Sequence, residues 1–315
     1  MKITTRCLAV FISLFFLQTL HAQEEQKDVA FFTGTSPVII EKGTAEININ
    51  NTLTSFWVTS KQYIPSVDAY RVVDRRRFSR LDNLLRVTYG FSQSKKWDLG
   101  AELRFANTRL DESARSSPLR VFGGESETGK TYHEFAYAGL RARASLFKNI
   151  PELTLQTTIT YPMSRIINDR PTWLEPLQTQ LGLGATYFAQ SGSNTIFFFQ
   201  TDWTTRFRAN SDNGTVPMAH IISASTYMVI NLWEQNWYIF PSLAYGSANR
   251  IEKGNFRRLN QQLLGGIGLY FQPSPRFSIL LNGNFPLVLQ TGSDLTTFNK
   301  ETYTGITISL RTLLE

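Results

Sequence analysis

The chain has 315 residues, 42% of them hydrophobic and 13% aromatic, with a formal net charge of +7 and a mean hydropathy of −0.19. Such a hydropathy is too low for a bundle of apolar spanning helices but ordinary for strands that are polar on one face. The charge describes a mildly basic protein rather than a polycation, so nucleic acid is not an expected partner.

The first residues carry Lys2 and Arg6, an apolar run over residues 7–17 and a small residue, Ala22, ahead of the polar stretch QEEQKD. A basic start, a short apolar run and a small-residue site describe a cleaved secretory signal peptide. The run is too short for a spanning helix, which needs about 20 residues. Cleavage after Ala22 leaves 293 residues and lowers the net charge to +5, since residues 1–22 hold two basic side chains and no acid. It also removes Cys7, the only cysteine, and with it disulfide, thiolate-metal and cysteine-nucleophile chemistry. Residues 23–43, broken by Gly34, Pro37 and Gly43, form a periplasmic lead-in; the span 44–315 is a single expected domain.

From there the chain beats at period two. Side chains of a strand point alternately to its two faces. In WDLGAELRF, residues 97–105, Trp97, Leu99, Ala101, Leu103 and Phe105 share one face, and Asp98, Gly100, Glu102 and Arg104 the other. Similar segments are expected near 45–59, 80–91, 132–147, 153–161, 177–189, 195–206, within 214–233, and near 237–246, 259–271, 276–287 and 302–314. The fourth of the twelve sets Ala136, Ala138, Leu140, Ala142 and Ala144 against Phe135, Tyr137, Arg141 and Arg143. Window 214–233 lacks Asp, Glu, Lys and Arg, but its β-branched and aromatic content favours a strand over a helix. Tight turns such as SQSKK, KNIP and EQN alternate with longer connections, of which 107–131 is the longest and the first carries Arg75, Arg76 and Arg77. The expected fold is therefore all-β: a transmembrane antiparallel barrel of about 12 strands with short periplasmic turns and longer extracellular loops. Trp57, Trp97, Tyr161, Trp203, Trp233, Trp237 and Phe271 fall near strand ends, where interfacial aromatic girdles lie.

Three motifs invite other chemistry. Residues 124–131, GESETGKT, match the phosphate-loop pattern, but that loop needs a helix after its threonine, whereas the following residues alternate. The glycines Gly182 and Gly184, and Gly265, Gly266 and Gly268, fit crowded strand interiors better than a dinucleotide fingerprint. His133 with Glu134 and Ser126, or His220 with Ser223 or Asp212, could supply a hydrolase only if geometry assembled them. No metal or cofactor set is expected.

The richest signal is the set of ionisable side chains on the expected inner face: Asp82, Arg86, Asp98, Glu102, Arg104, Arg141, Arg143, Glu152, Asp202 and Arg206, with Glu46 and Arg311 beside them. Charges at membrane depth pair with one another or face water. They form either an arginine-tracked pore or a ladder of salt bridges that fills the lumen. The strand number favours the pore, because barrel diameter grows with it. The basic loop Arg75 to Arg77 suits phosphates of surface glycolipid or the steering of anionic solutes, and equally an ordinary solvated loop with no specific role. Outer-membrane lipid and surface glycolipid are thus the expected partners.

The signal peptide, the cysteine-free body and the alternating segments resemble small outer-membrane β-barrel proteins of Gram-negative bacteria. The stretches GTSPVIIEKGTAEINI and LQTQLGLGATYF look like the transporter-like barrel family named for the meta-pathway of phenol degradation. That resemblance implies solute passage and brings no catalytic or ligand residue with it. The last strand, GITISLRTLLE, departs from the pattern by lacking a terminal aromatic residue. The function expected is a channel for small polar or anionic solutes. A closed structural or interaction barrel acting through its loops is the alternative, and an embedded lipid hydrolase is a more distant one.

Overall fold

The computed structural model describes residues 39–65, 68–93, 96–123, 129–163, 178–191, 195–211, 214–232, 236–252, 255–291 and 296–315. The expected signal peptide and most of the lead-in lie outside these residues. Twelve antiparallel strands close into a barrel: β1 (Ala45–Ile64), β2 (Ala69–Gly90), β3 (Trp97–Asp111), β4 (Gly129–Ala144), β5 (Leu153–Pro162), β6 (Gln180–Ser191), β7 (Thr195–Arg206), β10 (Ala219–Asn231), β11 (Trp237–Glu252), β12 (Asn255–Ser274), β13 (Phe277–Thr291) and β14 (Thr296–Leu314). Each pairs with its neighbours in chain order, and β14 returns to β1 from Ala45↔Leu314 to Ser60↔Thr296. Closure leaves no strand edge, which is what permits a sheet to sit in hydrocarbon. A separate two-stranded hairpin, β8 (Ala209–Ser211) with β9 (Gly214–Val216), stands in the connection between β7 and β10.

The alternation sorts the side chains. Every barrel strand places a large apolar residue on the exposed outer wall, among them Ile49, Leu103, Leu140, Leu183, Ile267 and Ile308. Such a continuous apolar surface belongs in lipid rather than water. At the short-turn, periplasmic end, Phe91 stacks on Trp97 and Trp237 on Phe271, with ring centroids 5.4 and 4.3 Å apart. Asn236 makes one of these turns with φ 64°, a conformation asparagine tolerates. At Gly43, φ 86° lets the lead-in bend into β1, and Thr44 N–H donates to the Glu41 carbonyl.

Three expectations change. Arg75, Arg76 and Arg77 are not in a loop: they lie on β2, opposite Thr59, Val58 and Trp57. β1 and β2 run 20 and 22 residues, beyond the roughly 9–11 a tilted strand needs to cross a bilayer, so this hairpin stands clear of the lipid, where neither face has to be apolar. On β4, Phe135 faces outward and is 64% exposed, while Ala136 is buried. The register slips there, Arg104 facing Tyr137 and Phe105 facing Phe135, so Ala136 is the extra residue of a bulge that inverts the alternation above it. Finally, the β3–β4 connection is shorter than 107–131, because β3 continues to Asp111 and β4 begins at Gly129.

That connection also covers part of the outer wall. Its 3-10 turn, Pro118–Phe122, is capped by Ser117 and seats Val121 on the outward-facing Leu53 and Leu81. Beside it, Arg109 donates to Asp111 at 2.9 Å and to Thr131 at 2.9 Å, and Arg77 donates to the Ala114 carbonyl. Leu119 and Phe122 remain exposed.

Candidate functional site

The inner face has two kinds of wall. On β14, β1, β2, β3 and β4, toward the periplasmic end, ionic side chains interlock. Arg143 takes Asp98 side-on, Nε to Oδ1 at 2.9 Å and Nη2 to Oδ2 at 2.6 Å, with both side chains 1% exposed. Arg86 donates to Glu102 through Nε at 3.1 Å and Nη2 at 2.8 Å, and Arg311 reaches Glu46 at 2.6 Å. The register explains the partners: Arg86 faces Glu102 and Asp98 faces Arg143 across β2, β3 and β4, while Arg311 lies opposite Asn48, one inward position from Glu46. Bidentate guanidinium–carboxylate pairs fix geometry as well as charge. Ile40 N–H donates to Asp98 Oδ2 at 2.9 Å, and Lys42 bridges to Gly90, so the end of the lead-in lies against this wall inside the mouth. Gly90 has to be glycine here, since a Cβ would stand 1.9 Å from the Glu41 carbonyl oxygen.

Across the lumen, at the same end of β7 and β10 to β13, the wall is apolar. Phe198, Tyr227, Val229, Phe240, Tyr270 and Leu280 form one buried cluster, with Tyr227 stacked on Phe240 at 5.3 Å. Its polar margin is a hydrogen-bond chain: Tyr227 Oη donates to Gln200, and Gln200 and Gln156 both donate to Asp202, at 2.7 and 2.6 Å. Gly184 makes room for it, because a Cβ there would lie 2.2 Å from Asp202 Oδ1. An ionic wall and an aromatic wall thus meet and fill the periplasmic half of the lumen.

Toward the extracellular end the interior opens. A cavity of about 270 Å³ is lined by Arg80, Asp82, Arg104, Gln262, Gln290 and Tyr303, among others. Asp82 is shared by two guanidinium groups, accepting from Arg80 Nε at 2.9 Å and from Arg104 Nε at 3.0 Å. One carboxylate between two arginines leaves the cavity wall electropositive, and the Arg104 side chain is 31% exposed. Phe56, Phe78, Phe298 and Tyr303 pack together along one side of this upper chamber.

Most inner-face residues expected from the sequence therefore come together, in two groups. Asp98, Glu102, Arg86, Arg141 and Arg143 lie below; Asp82 and Arg104 lie above. Arg206 is on the inner face at the upper end of β7, opposite Gln180 and Ala219. Asp202 is held by amides. Glu152 is not brought to Arg143: it sits in the turn ahead of β5, and the register partner of Arg143 is Gln156. The sequence reading passed over Arg80 and the inward aromatic residues. Alternation could have found Phe198, which shares its face with Gln200 and Asp202.

The hydrolase geometries do not assemble. His220 lies on the outer wall against Trp203 and Thr205, whereas Ser223 faces Asp202 inside. His133 contacts Asn107 at 2.7 Å on the outer wall, while its neighbour Glu134 turns inward. Residues 124–128 of the phosphate-loop motif and Asp212 lie outside the described residues, and Gly129 to Thr131 open a strand rather than a helix.

Closed antiparallel walls, an apolar belt and a polar interior define a barrel of the outer-membrane type. No family model matches the chain, and no curated protein matches it by sequence. Among solved structures it is similar to an outer-membrane channel from Pseudomonas putida F1, with 12% identity, coverage of 93% of this chain and 100% of that one, and a TM-score of 0.55. It also aligns with the translocator domain of the autotransporter NalP from Neisseria meningitidis (10% identity, 88% and 90% coverage, TM-score 0.43) and with the NanC porin (9% identity, 84% and 98% coverage, TM-score 0.43). At these identities the likeness is one of fold.

Proposed function

We propose that this protein is an outer-membrane channel for small polar or anionic solutes, entered through the electropositive upper chamber and restricted below by the filled half of the lumen. The observation that carries this reading is the chamber wall, where Arg80 and Arg104 share the single carboxylate of Asp82 inside a cavity on the long-loop side. A partly exposed guanidinium in a cavity walled by protein concentrates anions. The fold shared with a Pseudomonas putida outer-membrane channel supports the same reading. So do the segments resembling the transporter-like family named for the meta-pathway of phenol degradation. The test is conductance of the folded protein in a planar bilayer with a salt gradient: discrete steps with anion preference, reduced by Arg104→Ala, are expected. Steps with unchanged selectivity in that variant remove the chamber from the mechanism.

A second reading has its own support. The ion pairs Arg143–Asp98, Arg86–Glu102 and Arg311–Glu46 are those of a sealed interior. A barrel that stays silent in the bilayer, while remaining folded, is a closed scaffold that works through its external surface.

A further inference from the structure

On β14, β1, β2, β3 and β4 in the periplasmic half, four arginines stand among three carboxylates, and a fourth carboxylate, Asp202, lies at the same level on β7, held by two amides. Arg86 has Glu102, Arg143 has Asp98 and Arg311 has Glu46. The fourth, Arg141, is 2% exposed and has no carboxylate partner among the described residues. Its Nη2 donates to Thr88 Oγ1 at 2.9 Å, but Nε and Nη1 are buried with no acceptor. The bond to Thr88 passes over β3 at Gly100, where a Cβ would stand 2.9 Å from Thr88 Oγ1 and 2.8 Å from the Val87 carbonyl oxygen. The missing side chain is therefore what lets Arg141 reach across a strand.

A guanidinium cannot lose its proton in a protein, so Arg141 stays charged. A charge out of water, with its neighbours Arg86 and Arg143 of like sign, demands a counter-charge. The hydroxyls beside it, Thr88 and Thr158, the latter opposite it on β5, supply none, and Glu46 and Asp98, which act on it through space, are each bonded to another arginine. We propose that Arg141 is the binding group of an internal anion site that takes a small carboxylate or a halide. Arg141 lies two inward positions down the wall from the chamber, at the level of Gly100, with Arg104 two inward positions above Gly100 on β3. Read on the channel function proposed above, the site lies between the chamber and the periplasmic mouth, and an anion enters it as the packing of the filled half loosens around Arg141. It names carboxylates as the solute class and makes the remaining donors of Arg141 the selective element.

The test uses the full mature protein, folded in detergent, and chloride as the probe. Excess 35Cl linewidth that saturates and is displaced by acetate is expected from the wild type. Arg141→Gln should weaken it roughly ten- to a hundredfold, as expected for losing a hydrogen bond to a charged group, while Arg141→Lys, which keeps the charge, should retain part of it. Equal broadening in wild type and Arg141→Gln overturns the site. Should Arg141→Gln fail to fold, the wild type alone decides: its unfolding midpoint should rise saturably with acetate at constant ionic strength, and a flat midpoint overturns the site. The two proposals fail separately. Conductance without a chloride site removes the site and leaves the channel; a chloride site in a protein silent in bilayers removes the channel and leaves the site.

Discussion

The Asp98–Arg143 pair gives the sharpest test of the filled lumen. Asp98→Asn keeps the shape of the side chain and removes its charge, taking from Arg143, 1% exposed, the carboxylate it grips at both oxygens. Two unit charges about 4 Å apart attract by about 4 kcal/mol at an effective dielectric near 20. Breaking a buried pair from one side typically costs about 3–5 kcal/mol, because the survivor stays buried and unpaired. The two estimates agree. The amide keeps one acceptor oxygen and sets an NH2 group in place of the other, so one of the two hydrogen bonds from Arg143 becomes a contact between donors. Replacing both members, Asp98→Leu with Arg143→Met, should recover part of the loss, since a pair exchanged for apolar groups of similar volume is often neutral, while the Ile40 N–H, which loses its acceptor, keeps a cost of about 1–3 kcal/mol. Equilibrium unfolding in urea, followed by tryptophan fluorescence of the protein in lipid vesicles, measures all three. A single-variant loss below about 1 kcal/mol, the range of exposed pairs, would refute the claim that this wall is dry. So would a double variant as unstable as the single one.

Other outcomes follow from the remaining walls. Phe198→Ala, at the centre of the aromatic cluster, should cost about 3–5 kcal/mol in the same unfolding measurement. Gly90→Ala would place a methyl group in the path of Ile40 and Glu41 and should make the lead-in a ready target for limited proteolysis, while the barrel itself remains resistant. Val121→Asp would put a charge between Leu53 and Leu81; the 3-10 turn should lift away, and trypsin should then cut after Arg115 and Arg120 faster than in the wild type.

The barrel was legible because alternation persists through each lipid-facing strand, and because the hydrophobic requirement of the outer wall writes itself into every second residue. Where the strand leaves the lipid that requirement ends. Arg75, Arg76 and Arg77 therefore read as a loop although they continue β2. The bulge at Ala136 left a single trace: on β4 both faces carry small or aromatic residues there, but an unbroken alternation would put Glu134 on the outer face, and only a shift of one brings it inside. Neighbour relations on the inner face could be counted from strand order, so Arg86 with Glu102 was within reach. Whether those charges line water or fill the lumen could not be counted. That depends on what stands opposite, here Phe198, Phe240 and Tyr270 from strands of the second half of the chain.

The two walls that meet in the periplasmic half differ in what can move them. The transmembrane potential acts on charge, at about 2.3 kcal/mol per elementary charge for each 100 mV crossed, and leaves aromatic packing alone. Dissolved salt screens these pairs little, because they are out of water. The potential therefore finds its grip on the side of β14, β1, β2, β3 and β4, and almost none on the cluster around Tyr227 and Phe240. An opening driven by voltage would be lopsided: one jamb swings while the other serves as the hinge post, and the passage widens as a door does, not as an iris.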